Sequence, residues 1–139
     1  MWRNLSTVIC NKDALVLPET TPVRTACRQM RDRDTGSVLV TNSHGALVGI
    51  FTGRDAVRAV GDGKILAKTP LSEVMTPNPV TISPEKTALD ALRLMWDGGF
   101  RHIPVLDGNR IVACVSRGDF RSEEVGQLEV ERELWEHMR

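Results

Sequence analysis

The chain has 139 residues, the length of one typical domain, and its 18 basic and 18 acidic side chains cancel at pH 7, so no surplus charge favours a nucleic-acid backbone or an anionic membrane surface. No uninterrupted apolar run approaches the ~20 residues that span a bilayer, and Met1-Trp2-Arg3-Asn4 lacks the apolar core of a signal peptide. Cys10, Cys27 and Cys114 are odd in number and lack C-x-x-C spacing, which argues against a disulfide framework; the expectation is a reducing cytoplasm, no membrane partner and no export.

From the amino end, Leu5-Ser6-Thr7-Val8-Ile9 leads to a β-type stretch, Ala14-Leu15-Val16-Leu17, and a Pro/Thr/Glu cluster able to start a helix. Val23, Ala26, Cys27 and Met30 then follow the i, i+3, i+4, i+7 spacing of a helix with one apolar face, where a thiol serves as a small hydrophobe. Val38 to Thr41 turns through Asn42-Ser43-His44-Gly45 into Leu47 to Phe51, a hairpin whose glycine and asparagine tolerate positive φ. A second helix is expected from Asp55, carrying Ala56, Val57 and Val60 and stopping near Gly61-Asp62-Gly63. Residues 61–70 read as a linker, and Met75-Thr76-Pro77-Asn78-Pro79 as extended backbone, since its prolines cannot continue a helix.

The same succession then recurs. A shift of 65 carries Val23, Ala26, Cys27 and Met30 onto Ala88, Ala91, Leu92 and Met95, and Gly36-Ser37-Val38-Leu39-Val40 onto Arg101-His102-Ile103-Pro104-Val105. At a shift of 64, Gly49 to Asp55 aligns with Ala113 to Asp119, because one turn is shorter; at 66, Leu5 to Ile9 aligns with Leu71 to Met75. The second β-type stretch is Val80-Thr81-Ile82, and the second hairpin turns near Gly108-Asn109. A unit of roughly 65 residues is marginal alone, so the two copies are expected to share a core. From Ser122 the repeat gives way to an acidic stretch with Leu128, Leu134, Trp135 and Met138 on roughly one side of a helix, which either packs on its own domain or meets a second subunit. Gly126 weakens that helix and points to a start later than Glu123.

The sharpest local feature is a hydroxyl followed three residues later by a carboxylate at a strand-to-helix junction, in both copies: Thr52/Asp55 and Ser116/Asp119. Free N–H groups and the helix dipole attract anions there, and a carboxylate beside them can accept hydrogen bonds from a vicinal diol, so phosphate and ribose both fit. The same pattern is also that of a helix capping box, and both readings stand. His44 and His137 lack partners at metal-ligand spacing, and no P-loop or nucleophile–base arrangement appears. Arg54 and Arg117 flank the two junctions, either solvated or placed to neutralise phosphate.

These residues, above all Met75 to Ile82, Arg101-His102-Ile103-Pro104-Val105 and the two hydroxyl-x-x-Asp junctions, make the chain resemble the cystathionine β-synthase (CBS) domain pair, or Bateman module. The resemblance implies a mixed α/β (α+β) fold of two tandem β-α-β-β-α repeats, at 5–60 and 71–121, packed with pseudo-two-fold symmetry and followed by a helix at 122–139. It implies a regulatory, non-catalytic protein that binds AMP, ADP, ATP or S-adenosylmethionine in clefts between the repeats, forms a homodimer and acts in trans on an effector. No metal and no required cofactor are implied. Carried over position by position, Asp119 and Asp55 would hold ribose hydroxyls, Ser116 and Thr52 would touch ribose or phosphate, and Thr81 and Ile82 would contact the purine. Arg101 or His102 would meet phosphate, while Ile103 and Pro104 line the wall. The matching segment of the first repeat, Ser37 and Val38, offers no cation, which makes the Asp119 site the better of the two. Ala113 in place of Gly49 adds a methyl where backbone is expected near ligand. The alternative is an assembly domain with non-functional clefts.

Overall fold

The computed structural model describes residues 2–9 and 13–138, and Cys10 lies outside them. Chain order is α1 (Leu5–Val8), β1 (Val16–Pro18), α2 (Val23–Arg33), β2 (Ser37–Thr41), β3 (Leu47–Thr52), α3 (Gly53–Gly61), α4 (Leu71–Val74), β4 (Thr76–Pro77), α5 (Ala88–Gly98), β5 (His102–Asp107), β6 (Arg110–Ser116), a 3-10 turn at Arg117–Asp119, and α6 (Ser122–Met138). The chain is therefore mixed α/β with a carboxy-terminal helix. Two compact units are built from it, one of residues 13–80 and one of residues 81–138 with residues 2–9.

In the 13–80 unit the sheet order is β1-β2-β3-β4. β1 lies parallel to β2, joined through α2, and the β2–β3 hairpin is antiparallel, as is the short β4 on β3. The apolar face of α2 buries Val23 and Ala26 against Leu15, Leu17, Val38, Val40, Phe51 and Leu71, with Cys27 and Met30 at the margin. Each fully covered aliphatic or aromatic side chain there contributes about 1.5–3 kcal/mol relative to leaving it in water. The hairpin turn is held by Asn42, whose Oδ1 accepts from His44 N at 2.9 Å and Ala46 N at 3.0 Å.

The second unit repeats this plan with one strand lost. α5 lays Ala88, Ala91 and Met95 on Leu5, Val8, Ile9, Ile82, Ile103, Val105, Ala113 and Val115. Its sheet is β5–β6 alone; the strand expected at Val80-Thr81-Ile82 is corrected to a single bridge, in which Ile82 N donates to Pro104 O at 3.0 Å and Leu106 N to Ile82 O at 2.9 Å. Pro79 and Pro84, on either side, have no N–H to extend that pairing. Both hairpins carry a bulge at the same place, between Val40 and Thr41 and between Val105 and Leu106.

The short helices are exchanged between the units. α1 opens the first repeat in sequence, yet Leu5 N donates to Lys86 O at 2.8 Å; α4 opens the second, yet Leu71 N donates to Thr21 O at 2.9 Å. The second helix of the first repeat starts at Gly53 rather than Asp55, because extended Thr52 is the cap and Asp55 occupies the third helical position. In the second repeat only the 3-10 turn follows Ser116, and α6 begins at Ser122, before Gly126, which it contains. Of the apolar stripe expected on α6, Leu128 packs on Leu89 and Leu92, whereas Leu134, Trp135 and Met138 are exposed.

Candidate functional site

In the 13–80 unit, cross-strand pairing sets Ser37 opposite Thr52 at the end of β2–β3 where α3 begins. Asp55 Oδ2 accepts from Thr52 N at 2.9 Å and Thr52 Oγ1 at 3.2 Å, forming a capping box, and Asp55 Oδ1 accepts from Thr76 Oγ1 at 3.1 Å. Arg58 Nη1 lies 3.9 Å from the same Oδ1. The carboxylate is 4% exposed, so its acceptor capacity is turned inward. Val38 and Ser37 are buried as well. The structure thus brings the first repeat's candidates together and closes them off.

The 81–138 unit repeats the arrangement in a more open form. His102 is paired with Ser116 across β5–β6, and Arg117 N donates to Arg101 O at 3.2 Å. Asp119 Oδ2 accepts from Ser116 N at 2.7 Å and Ser116 Oγ at 3.4 Å, again a capping box, but Asp119 and Ser116 are only half-buried and Arg101 and Thr81 are exposed. Capping is therefore the local role of both aspartates, and the two copies differ in what remains reachable. Ile82, Ile103 and Pro104 have their side chains in the interior, so what they present at a surface is backbone. Burial, and next the charge of Arg101, hold His102 below the ordinary imidazole value, favouring its neutral form.

Several contacts lay beyond the sequence reading. Arg3 forks onto Glu124 at 2.7 and 3.2 Å and donates through Nη2 to Asp119 O at 3.3 Å, tying the amino-terminal segment to the junction. Arg117 stacks over Trp96, 5.4 Å from the ring centre, and Arg132 lies over the same ring at 4.1 Å. Arg3 and Glu124 stand 121 positions apart, and no periodicity or motif signals a pairing at that separation. The Gly49 to Ala113 difference also takes a new meaning. A Cβ on Gly49 would run into the Met75 thioether, so the glycine answers to a packed methionine, and Ala113 lies in the core. Two surface hollows, about 250 Å³ along α5 and α6 and about 310 Å³ at Pro18–Thr20 and Thr41–Ser43, include none of the four junction residues.

The profile of the CBS domain matches residues 5–62 and 71–126. CBSCBSPB5 of Arabidopsis thaliana, a CBS domain-containing protein, is 35% identical over 117 residues, covering 84% of this chain and 21% of its own length. The chain thus spans about a fifth of the Arabidopsis relatives it matches first. YhcV of Bacillus subtilis, also a CBS domain-containing protein, is 35% identical over 107 residues, 76% of this chain and 74% of its own. Among solved structures, a CBS domain protein from Pyrobaculum aerophilum complexed with AMP superposes with a TM-score of 0.83 at 21% identity, over 91% of this chain and 98% of that one. At that identity the likeness speaks for the fold.

Proposed function

The chain belongs to the CBS domain family, whose paired domains are regulatory, and from that premise we propose that it senses an adenine nucleotide at the Ser116–Asp119 junction and acts in trans, as a homodimer, on an effector protein. The observation that carries this reading is the inequality of two equivalent carboxylates: Asp55 is enclosed by Thr52 and Thr76, while Asp119 stays half-exposed beside an exposed Arg101. In the proposed complex a ribose diol donates to Asp119, the Arg101 guanidinium faces phosphate, and the base lies along the backbone at Thr81 and Ile82. Neutral His102 adds a neighbour without a competing charge. No residue is assigned a catalytic role. The Pyrobaculum protein with AMP supports the ligand class by fold alone.

Titration calorimetry of ligand-free protein with AMP, ADP, ATP and S-adenosylmethionine tests the proposal. Saturable binding is expected, weakened about tenfold to a hundredfold by Asp119→Ala through loss of a charge-assisted contact, and much less by Asp55→Ala. Failure of all four ligands to saturate would favour the assembly-domain reading. The exposed apolar faces of α3 and α6 are the observation on its side.

A further inference from the structure

α3 and α6 each leave an apolar face uncovered, and the two faces carry opposite charge. On α3 and the turn after it, Val57, Val60 and Ile65 are 62 to 73% exposed. Arg54 and Arg58, one turn apart, form the row beside Val57, and Lys64 and Lys68 follow; all four are exposed. On α6, Val130, Leu134, Trp135 and Met138 are 51 to 76% exposed. Glu129 and Glu133, also one turn apart and exposed, form the row beside Val130 and Leu134. Single exposed apolar residues are ordinary, but a run of them along one helix marks a surface that another protein covers.

We propose that α3 of one copy of the chain docks on α6 of a second copy, with Arg54 and Arg58 opposite Glu129 and Glu133 and the valine–leucine rows between them. The occupant follows from charge. A second α6 would bring acid against acid, and a second α3 base against base, so only the cross-pairing of unlike helices joins both the apolar rows and the ions. Geometry agrees with it. Viewed down the helix axis, the arginine row lies on one side of Val57 and the glutamate row on the opposite side of Val130, the handedness that aligns unlike charges when facing helices run in the same direction, as at the flanking positions of a parallel coiled coil. Each copy has both faces, so the contact made twice closes a two-fold pair. The inference gives a surface to the homodimer in the reading above and is independent of what ligand binds.

The test is solution mass by light scattering with charge reversal. Wild type is expected at twice the 15.4 kDa chain mass. Arg54→Glu/Arg58→Glu and Glu129→Arg/Glu133→Arg are each expected to be monomeric. Mixing the two variants in equal amounts is expected to restore the dimer, because each acidic α3 then meets a basic α6 and the reverse; misfolded variants would not be rescued by mixing. A wild-type monomer, or a dimer indifferent to both reversals, overturns the proposal. Calorimetry with AMP on the same samples separates that result from failure of the sensor reading, since nucleotide binding by a monomer would sink this interface and leave the sensor standing.

Discussion

Thr76 Oγ1 donates to Asp55 Oδ1 at 3.1 Å across a gap of 21 residues, and this bond fastens the segment after α4 to the start of α3. Backbone pairing holds the same segment, with Gly49 opposite Pro77 and Ile50 opposite Thr76, and Asn78 N donates to Val48 O at 3.1 Å. Removing one donor from a buried carboxylate costs about 1–3 kcal/mol. Thr76→Val keeps the shape and removes the hydroxyl, so urea unfolding should shift to a lower midpoint with an unchanged slope. An unshifted midpoint would show that the bond contributes nothing.

The Arg3–Glu124 pair is the second fixed point. Glu124's side chain is 3% exposed, and one of its oxygens also accepts from Arg121 N at 2.8 Å. Burial pushes this carboxyl up, and the Arg3 and Arg121 contacts outweigh it, leaving the net shift downward. Arg3→Met strands a carboxylate in a covered site, so a loss of about 3 kcal/mol is expected. Glu124→Met alongside it should recover part of that loss. Strictly additive losses in the double-mutant cycle would show that the two side chains act separately.

Two helix ends carry a simpler test. Asp34 closes α2 at φ 52° and Gly99 closes α5 at φ 69°, equivalent positions both in the left-handed region. Nothing lies within 4 Å of a Cβ built on Gly99, so a substitution there meets backbone strain alone. Gly99→Ala should cost about 1–2 kcal/mol, and Asp34→Gly should gain about 0.5–1 kcal/mol. Thermal melts of the two variants read both signs, and a destabilised Asp34→Gly would mean that the aspartate makes a contact worth more than its strain.

α2 and α5 were legible in the sequence to the residue, at a constant shift of 65, because an apolar stripe on a helix is a local pattern. The hairpins and both hydroxyl-x-x-Asp junctions were legible for the same reason. What was not legible depends on distant partners. The equivalence of Leu5 and Leu71 was visible, but their exchange between units rests on backbone carbonyls at Lys86 and Thr21. Likewise Thr52/Asp55 and Ser116/Asp119 look alike as strings; Thr76 hydrogen-bonds only the first pair's aspartate, while Arg3 reaches the Asp119 carbonyl. Val38, Ile103 and Pro104 were read as a ligand-facing wall, and their side chains went to the interior because these strands are covered on the face they occupy.

His102 gives the chain a dependence on pH with a definite sign. Burial and then Arg101 hold its pKa below the ordinary 6.5, so between the folded and unfolded values the unfolded chain binds the extra proton and stability rises with pH. The contribution is whole above about 6.5 and is lost as pH falls through that window. Glu124 adds a separate loss below about 4.5, since a lowered carboxyl stabilises the fold only while ionised. Asp90, lowered first by the Thr87 backbone N–H against a smaller effect of burial, acts in the same acid range. Urea midpoints should therefore fall in two stages from pH 8 to pH 3, and His102→Gln should flatten the upper stage while leaving the lower one. An upper stage that survives His102→Gln would assign it to another group.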